Sequence, residues 1–392
     1  MKAVIIGAGA AGLAAAEALT ERGWEGEIVL VGSENHLPYD RPPLSKALLA
    51  GTEEFDFVRL CTDEDITRNN INLLLGATAT RLDSSAHTVE LSTGETLNYD
   101  KLIIATGVDA RQLPATAEID AAVTLRTFDD AMKFRAEMVE GRRILVVGAG
   151  FIGLEVAATA VLKGCTVDVV EPSPGVLYGK FPQVLAERIE TSHVEQGVTF
   201  HFGKVVDTWN AQDGRLGSVV LSDGTELRAD AALIGIGTVP ATGWLDDTGL
   251  EIGNGIICDA HGLAAPDIYA IGDVSNWFHP LVGESRRIEH RLSAGEQAQI
   301  VAAELTGTES GHLDLPFFWT DQYKEKWQAY GYVDWEADIE IVLDEPESNK
   351  LVAVLRRDGR LEAVIGKNAV KQLMPYRREL KQAAAEQLAN AN

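Results

Sequence analysis

The chain has 392 residues, 46% of them apolar and 24% charged, and its 59 acids against 34 Lys and Arg leave a net charge of −25. This is the composition of a folded globular protein and excludes disorder, a collagen-like fibre and a membrane bundle. The acid excess repels nucleic-acid phosphate and anionic lipid alike, so neither is expected as a partner, and at roughly 150 residues per domain the length allows two or three cores with a cleft between them.

Residues 2–6 (KAVII) predict a buried strand, 7–12 a glycine-rich turn, 13–22 a helix and 27–31 (EIVLV) a second strand, which together make a βαβ unit. The small apolar run from Ala3 to Ala16 behind Lys2 imitates a secretory signal, but Glu17 and the glycine spacing argue against one, and a cytoplasmic protein is expected. The same order returns at 143–147 (RILVV), 148–153, 154–163 and 166–170. A second repeat accompanies the first. Ser92–Gly107 (STGETLNYDKLIIATG) aligns without gaps on Ser222–Gly237 (SDGTELRADAALIGIG), with six of sixteen positions identical, and each copy follows its own βαβ unit. Two mononucleotide-binding halves, each closed by a hairpin and a final strand, account for both repeats; chance likeness between two hairpins is the plainer alternative. Residues 267–273 (DIYAIGD) predict another buried strand ending at Asp273, and 294–305 an amphipathic helix. Aromatic residues gather at 317–335, and 356–360 (RRDGR) joins two strand patterns as a hairpin in a closing α+β domain.

Gly7-x-Gly9-x-x-Gly12 and Gly148-x-Gly150-x-x-Gly153 each sit between a strand and a helix. In this pattern the first glycine makes the tight turn, the second lets a pyrophosphate approach the backbone, and the third lets helix and strand pack closely. An acid about 20 residues beyond the third glycine holds an adenosine ribose, and in the second unit this is Glu171. A carboxylate there accepts the 2′-hydroxyl and repels a 2′-phosphate, which predicts NADH over NADPH. In the first unit the comparable stretch reads Ser33-Glu34, with the acid displaced. Cys61, Cys165 and Cys258 are far apart and form no CxxC, so neither a disulfide framework nor a thiol relay is expected. The eight histidines show no metal-binding spacing, and no metal is expected.

The motifs LPYDRPPLSK (37–46), ATG with RQLP (105–114), GFIGLE (150–155), IGD (271–273), RIEH (287–290) and PFFWTDQYKEKWQAYG (316–331) follow one another along the whole chain. In this order they resemble the FAD-dependent NADH:ferredoxin and rubredoxin reductases of bacterial oxygenase systems, of which apoptosis-inducing factor is a relative. The resemblance implies an α/β fold of two Rossmann-like dinucleotide-binding domains, glutathione-reductase-like, plus a C-terminal α+β interface domain. It implies a discontinuous FAD domain at 1–112 and 238–315, an NAD domain at 113–237 and the interface domain at 316–392. Gly7, Gly9, Gly12, Ser33, Glu34, Arg41, Lys46, Thr106, Gly107, Arg111, Gly272, Asp273, His290 and Trp319 would then bind FAD. Gly148, Gly150, Gly153, Glu171 and Gly237 would serve the nicotinamide dinucleotide. Lys46, paired with Glu155, would lie near flavin N5 and tune it.

The activity implied is hydride transfer from NADH to FAD, an oxidoreductase of the EC 1.18.1 type. Single electrons would then pass to a [2Fe–2S] ferredoxin or a rubredoxin that feeds an oxygenase or cytochrome P450, and a monomer or weak dimer is expected. Two other readings stand beside it: an NADH oxidase or disulfide reductase, which needs a redox cysteine at the flavin, and an NADH-responsive signalling flavoprotein. Arg291 departs from the family pattern and is expected to add a cation on the flavin's exposed side. Arg286, Arg287, Arg291, Lys324, Lys326, Arg377 and Arg378 are candidate cations for docking an acidic partner.

Overall fold

Lys2–Ile6 is buried over its last four residues, as a strand covered on both faces must be. In the computed structural model, which describes residues 1–279 and 284–391, this strand stands inside a six-stranded sheet. Glu27–Val31 and then Ile71–Leu74 lie on one side, and Lys101–Ile104, Ile268–Ala270 and Leu263–Ala265 on the other. All neighbours pair in parallel except the last two strands. A second sheet repeats the plan. Arg143–Val147 has Thr166–Glu171 and Thr199–Phe202 on one side, Ala231–Ile234 and Ala122–Val123 on the other, all parallel. From Lys2–Ile6 in one sheet and Arg143–Val147 in the other the chain crosses first one way and later the other, and such reversal points are where open α/β sheets bind ligands.

The sixteen-residue repeat is a repeat in three dimensions. In each copy the turn is closed by the same two backbone bonds, from Leu91 to Glu95 and Gly94 to Leu91 in one, and from Leu221 to Thr225 and Gly224 to Leu221 in the other. The helices begin earlier than hydrophobic pattern alone predicts: Ala10–Glu21 rather than 13–22, and Phe151–Leu162 rather than 154–163. Gly9 and Gly150 are the N-caps, so the third glycine of each motif lies inside the first helical turn. The pattern 267–273 is also a shorter strand than expected, ending at Ala270, after which Gly272–Val274 forms a 3-10 turn. The helix expected over 294–305 runs from Arg291 to Thr306 and packs along Ala10–Glu21.

The segment carrying RPPLSK leaves the first half. Leu44, Leu48 and Leu49 insert into the apolar core of the second half beside Phe134, Leu154 and Ala157, which carries Lys46 across the gap between the two sheets. The C-terminal five-stranded antiparallel sheet runs Phe317–Gln322, Glu325–Gly331, Arg360–Lys367, Lys350–Arg357, Asp338–Glu345. Alternation serves both of its faces. Val352, Val354 and Val364 meet Leu373 and Leu380 of helix Val370–Ala391, whereas Leu351, Ala353, Leu355 and Ile365 join the core of the second half. The expected Asp358-Gly359 hairpin is present, with both residues at positive φ (51° and 78°), as a two-residue turn of this kind requires. No helix among the described residues is long and apolar enough to cross a membrane.

Candidate functional site

The two glycine turns have one geometry. Gly7 and Gly148 hold φ of 115° and 104°, and a Cβ added there would stand 2.2 Å from the Ala105 carbonyl oxygen or 2.3 Å from that of Gly235. At Gly12 and Gly153 a Cβ would meet the carbonyl oxygen of Gly7 at 1.9 Å or Gly148 at 2.1 Å. At Gly9 and Gly150 it would meet nothing within 4 Å. The outer glycines are therefore demanded by the turn itself, and the middle ones leave open room in front of a helix N-terminus, whose free amides and dipole suit a pyrophosphate.

Both middle glycines open onto one cleft of about 1280 Å³ between the halves, larger than a pocket for a drug-sized ligand. Its walls include Gly7, Gly9, Ser33, Glu34, Arg41, Thr106 and Gly107 of the first half, and Gly150, Glu155 and Gly237 of the second. Lys46, Arg111, Gly272, Asp273, His290 and Trp319 line it too. Gly12, Gly148, Gly153 and Glu171 stand behind the wall. Glu171 ends its strand with Oε2 accepting the Ala149 amide at 2.8 Å and Oε1 that of Ser173 at 2.9 Å, so its carboxylate braces the second glycine turn. Glu34 is similarly occupied: Arg41 donates to one oxygen at 2.8 Å and the Tyr39 hydroxyl to the other at 2.5 Å.

A chain of net charge −25 gathers cations in this cleft, which favours an anionic ligand. Tyr39 and Glu34 outweigh burial to hold Arg41 above its ordinary pKa. Arg126, which no motif signalled, points to Asp273 at 3.6 Å, and burial together with Arg41 presses its own pKa down. Burial pushes the Asp273 carboxyl up against the pull of Arg126. His290 packs on the Phe318 ring at 5.5 Å; burial takes its pKa down to about 4, and its Nδ1 has no partner among the described residues. The Trp244 indole nitrogen, which also lines the cleft and was not among the sequence candidates, likewise has none. Trp319 stacks on Phe317 at 5.8 Å at the rim.

Lys46 and Glu155, 109 residues apart, form an ion pair of 2.7 Å with side chains 19% and 6% exposed. Glu155 also accepts from Ser45 Oγ at 2.5 Å and Thr320 Oγ1 at 2.6 Å, so residues of all three parts of the molecule meet on one carboxylate. Lys46 donates as well to the Pro42 carbonyl at 3.1 Å.

Several expectations about charge are corrected. Arg291 lines the cleft as expected but brings no free charge there: its Nε lies 2.5 Å from Asp40, which lines the cleft as well. Among the candidate docking cations, Arg286 pairs with Glu284, Arg287 with Glu289 and Lys326 with Asp321. The local acid excess thus takes up much of the positive face foreseen for an acidic partner.

Residues 1–298 match the family described as pyridine nucleotide-disulphide oxidoreductase, and residues 317–392 the one described as reductase C-terminal. The chain belongs to the pyridine nucleotide-disulphide oxidoreductase family. It is 39% identical to rhodocoxin reductase of Rhodococcus erythropolis over 84% of this chain and 78% of that protein. It is 37% identical to the ferredoxin--NAD(+) reductase component of the anthranilate 1,2-dioxygenase system of Burkholderia cepacia, over 96% and 93%. The reductase of the covalent putidaredoxin reductase-putidaredoxin complex superposes with a TM-score of 0.93 at 32% identity, covering 97% of this chain and 93% of that one. In this member of the disulphide oxidoreductase family, Cys61, Cys165 and Cys258 are all buried and unpaired, and none lines the cleft. Burial lifts the Cys61 thiol to about 11 and the Cys258 thiol to about 12, away from the reactive thiolate.

Proposed function

We propose that this chain is an FAD-dependent NADH:ferredoxin oxidoreductase, of the EC 1.18.1 type. It delivers electrons to a [2Fe–2S] ferredoxin or a rubredoxin, and through it to an oxygenase or cytochrome P450. The observation that carries the reading is a single cleft onto which two equivalent glycine turns open, with the Lys46–Glu155 pair between them. The residues present fit FAD on three counts: the open space before Gly9, the cations Arg41 and Arg126, and the unpartnered polar nitrogens of His290 and Trp244. When bound, the flavin supplies the chemistry that converts a two-electron hydride donor into a one-electron source.

The protein's share is binding, alignment and charge. Gly7, Gly9 and Gly12 shape the FAD pyrophosphate site, with Ser33 and Glu34 at the adenosine end. Arg41 adds positive charge, and Thr106, Gly107, Arg111 and Gly272 border the same space. Asp273, held by Arg126, offers an acceptor to the ribityl hydroxyls. Lys46 brings a cation to the flavin ring, and His290 and Trp319 cover that ring. Gly148, Gly150, Gly153, Glu171 and Gly237 form the NADH side. Residues 1–112 with 238–315 are the FAD domain, 113–237 the NAD domain and 316–392 the interface domain. A cytoplasmic setting fits three thiols left unpaired, and a monomer or weak dimer completes the reading.

Anaerobic titration with NADH, followed by mixing with a bacterial ferredoxin, tests the function. The flavin bands bleach on titration and return on mixing, and ferredoxin accelerates cytochrome c reduction by NADH. Cytochrome c reduction indifferent to ferredoxin would instead favour the signalling flavoprotein. The oxidase and disulfide reductase readings require a thiol at the flavin, and the burial of all three cysteines away from the cleft speaks against them. Loss of turnover in Cys61→Ser would restore them.

A further inference from the structure

A buried line of side-chain hydrogen bonds leads from the Lys46–Glu155 pair to a hairpin turn of the C-terminal sheet. Thr320 Oγ1 donates to Glu155 Oε1 at 2.6 Å and accepts from Gln322 Nε2 at 3.2 Å. The Gln322 oxygen faces His193 Nε2 at 2.9 Å, and His193 Nδ1 faces the Tyr323 hydroxyl at 3.0 Å. Thr320, Gln322 and His193 are 1%, 3% and 0% exposed, so each polar atom depends on its protein partner. None of the four lines the cleft.

The line has a fixed polarity. A carboxylate only accepts, so Thr320 gives its one hydroxyl proton to Glu155 and must receive from the Gln322 amide. That turns the Gln322 oxygen to the imidazole, which places a proton on His193 Nε2 and leaves Nδ1 bare for the Tyr323 hydroxyl. Burial lowers the His193 pKa to about 4, so the ring is neutral at neutral pH. Every donor points toward Glu155, and bonds aligned in this way strengthen one another in a dry interior.

The far end of the line shows a separate sign of construction. Tyr323 joins Phe317–Gln322 to Glu325–Gly331 in a two-residue turn and holds a φ of 55°. A bulky side chain is an outlier in that region, where glycine sits without strain, and such outliers persist where the surroundings demand them. Here the strained turn sets the tyrosine ring against the imidazole, centroids 5.0 Å apart, with the hydroxyl on Nδ1.

We propose that Tyr323, His193, Gln322 and Thr320 are positioning residues for the flavin site. Their aligned donors hold the Glu155 carboxylate oriented, and through it fix Lys46. The proposal rests on the reading of Lys46 as the flavin-side cation. Cutting the line leaves the Glu155 charge less compensated, which disfavours the electron-rich reduced flavin and lowers its midpoint potential.

The test uses holoenzyme. Thr320→Val is nearly isosteric and removes the hydroxyl, whereas Thr320→Ser retains it. The valine variant shifts the flavin midpoint potential to a lower value and alters the visible flavin spectrum, and the serine variant keeps both as in the unsubstituted protein. If the valine variant fails to fold, Tyr323→Phe carries the same comparison with a smaller shift in the same direction. Long-range nitrogen NMR on histidine-labelled protein reads the His193 proton on Nε2, and Tyr323→Phe disturbs that tautomer. A proton on Nδ1, or an unchanged potential and spectrum in Thr320→Val beside a clear shift in Lys46→Met, overturns the proposal alone. An unchanged potential in Lys46→Met overturns the reading of Lys46 itself, and the proposal with it.

Discussion

Glu171 holds two backbone amides at once, those of Ala149 and Ser173, so its carboxylate braces the glycine turn, and in the proposed reading it would also accept a ribose hydroxyl. Charge-assisted hydrogen bonds contribute about 1.5 to 3 kcal/mol each, and on that scale Glu171→Ala lowers kcat/KM for NADH by about 10- to 100-fold. NADPH use changes little, because the repelling charge is lost together with the contact, so the preference between the two narrows. Equal, unchanged kinetics with both nucleotides would remove Glu171 from the ribose site. At Glu155 the expected loss is one of stability. Removing one member of a buried pair costs about 3 to 5 kcal/mol, and because Lys46 keeps 19% exposure the low end applies to Glu155→Ala, read as a fall in the urea midpoint.

The glycine turn makes a sharper distinction between holding the fold and holding the ligand. Gly12→Ala places a methyl 1.9 Å from the Gly7 carbonyl oxygen, a contact the helix and strand cannot relieve without separating, so the variant is recovered unfolded or not at all. Gly9→Ala meets only open space. It costs about 1 kcal/mol or less as a helix N-cap change, yet puts the methyl where the proposed FAD pyrophosphate would sit, and the protein is expected to purify folded but poor in flavin. Circular dichroism together with flavin absorbance per polypeptide separates the two outcomes. Both turns, both repeats and the Asp358-Gly359 hairpin were legible in the sequence because each is local: spacing within about thirty residues sets its geometry. The helix starts were misjudged because hydrophobic periodicity begins at the first large buried side chain, Leu13 or Leu154, while the helix begins at the glycine N-cap. Arg126 and Trp244 left no signal, since what makes them notable is three-dimensional: the sequence-distant Asp273 beside Arg126, and an unpartnered indole nitrogen on the cleft wall at Trp244. The Lys46–Glu155 pair came from the family resemblance; nothing in the spacing of the two residues indicates it.

Acid sensitivity belongs to the whole molecule. His193, His279 and His290, in different parts of the fold, all have their pKa pressed down by burial to about 4. Below about pH 6.5 the unfolded chain protonates these rings and the folded one does not, so the unfolded state binds more protons and stability falls as pH drops from about 6.5 toward 4. The buried carboxyls of Asp273 and Glu296, raised by the same cause, act in the opposite sense between their ordinary values near 4 and their raised ones, and the three rings outnumber them. Urea midpoints that decline from pH 7 to pH 5.5, with net proton uptake on unfolding, are the expected result; a flat profile would contradict the buried neutral state of these rings. The order of strands in the first sheet bears also on biosynthesis. Ile268–Ala270 pairs with Lys101–Ile104, and every strand of the second sheet, from Ala122–Val123 to Ala231–Ile234, is made in the interval between them. A ribosome therefore emits all five strands of one sheet while the other still waits for one of its inner strands. Vitamin capture becomes a late step of translation, and a transcript cut short before codon 268 would yield a polypeptide with one fully stranded sheet and an open-edged, sticky remnant.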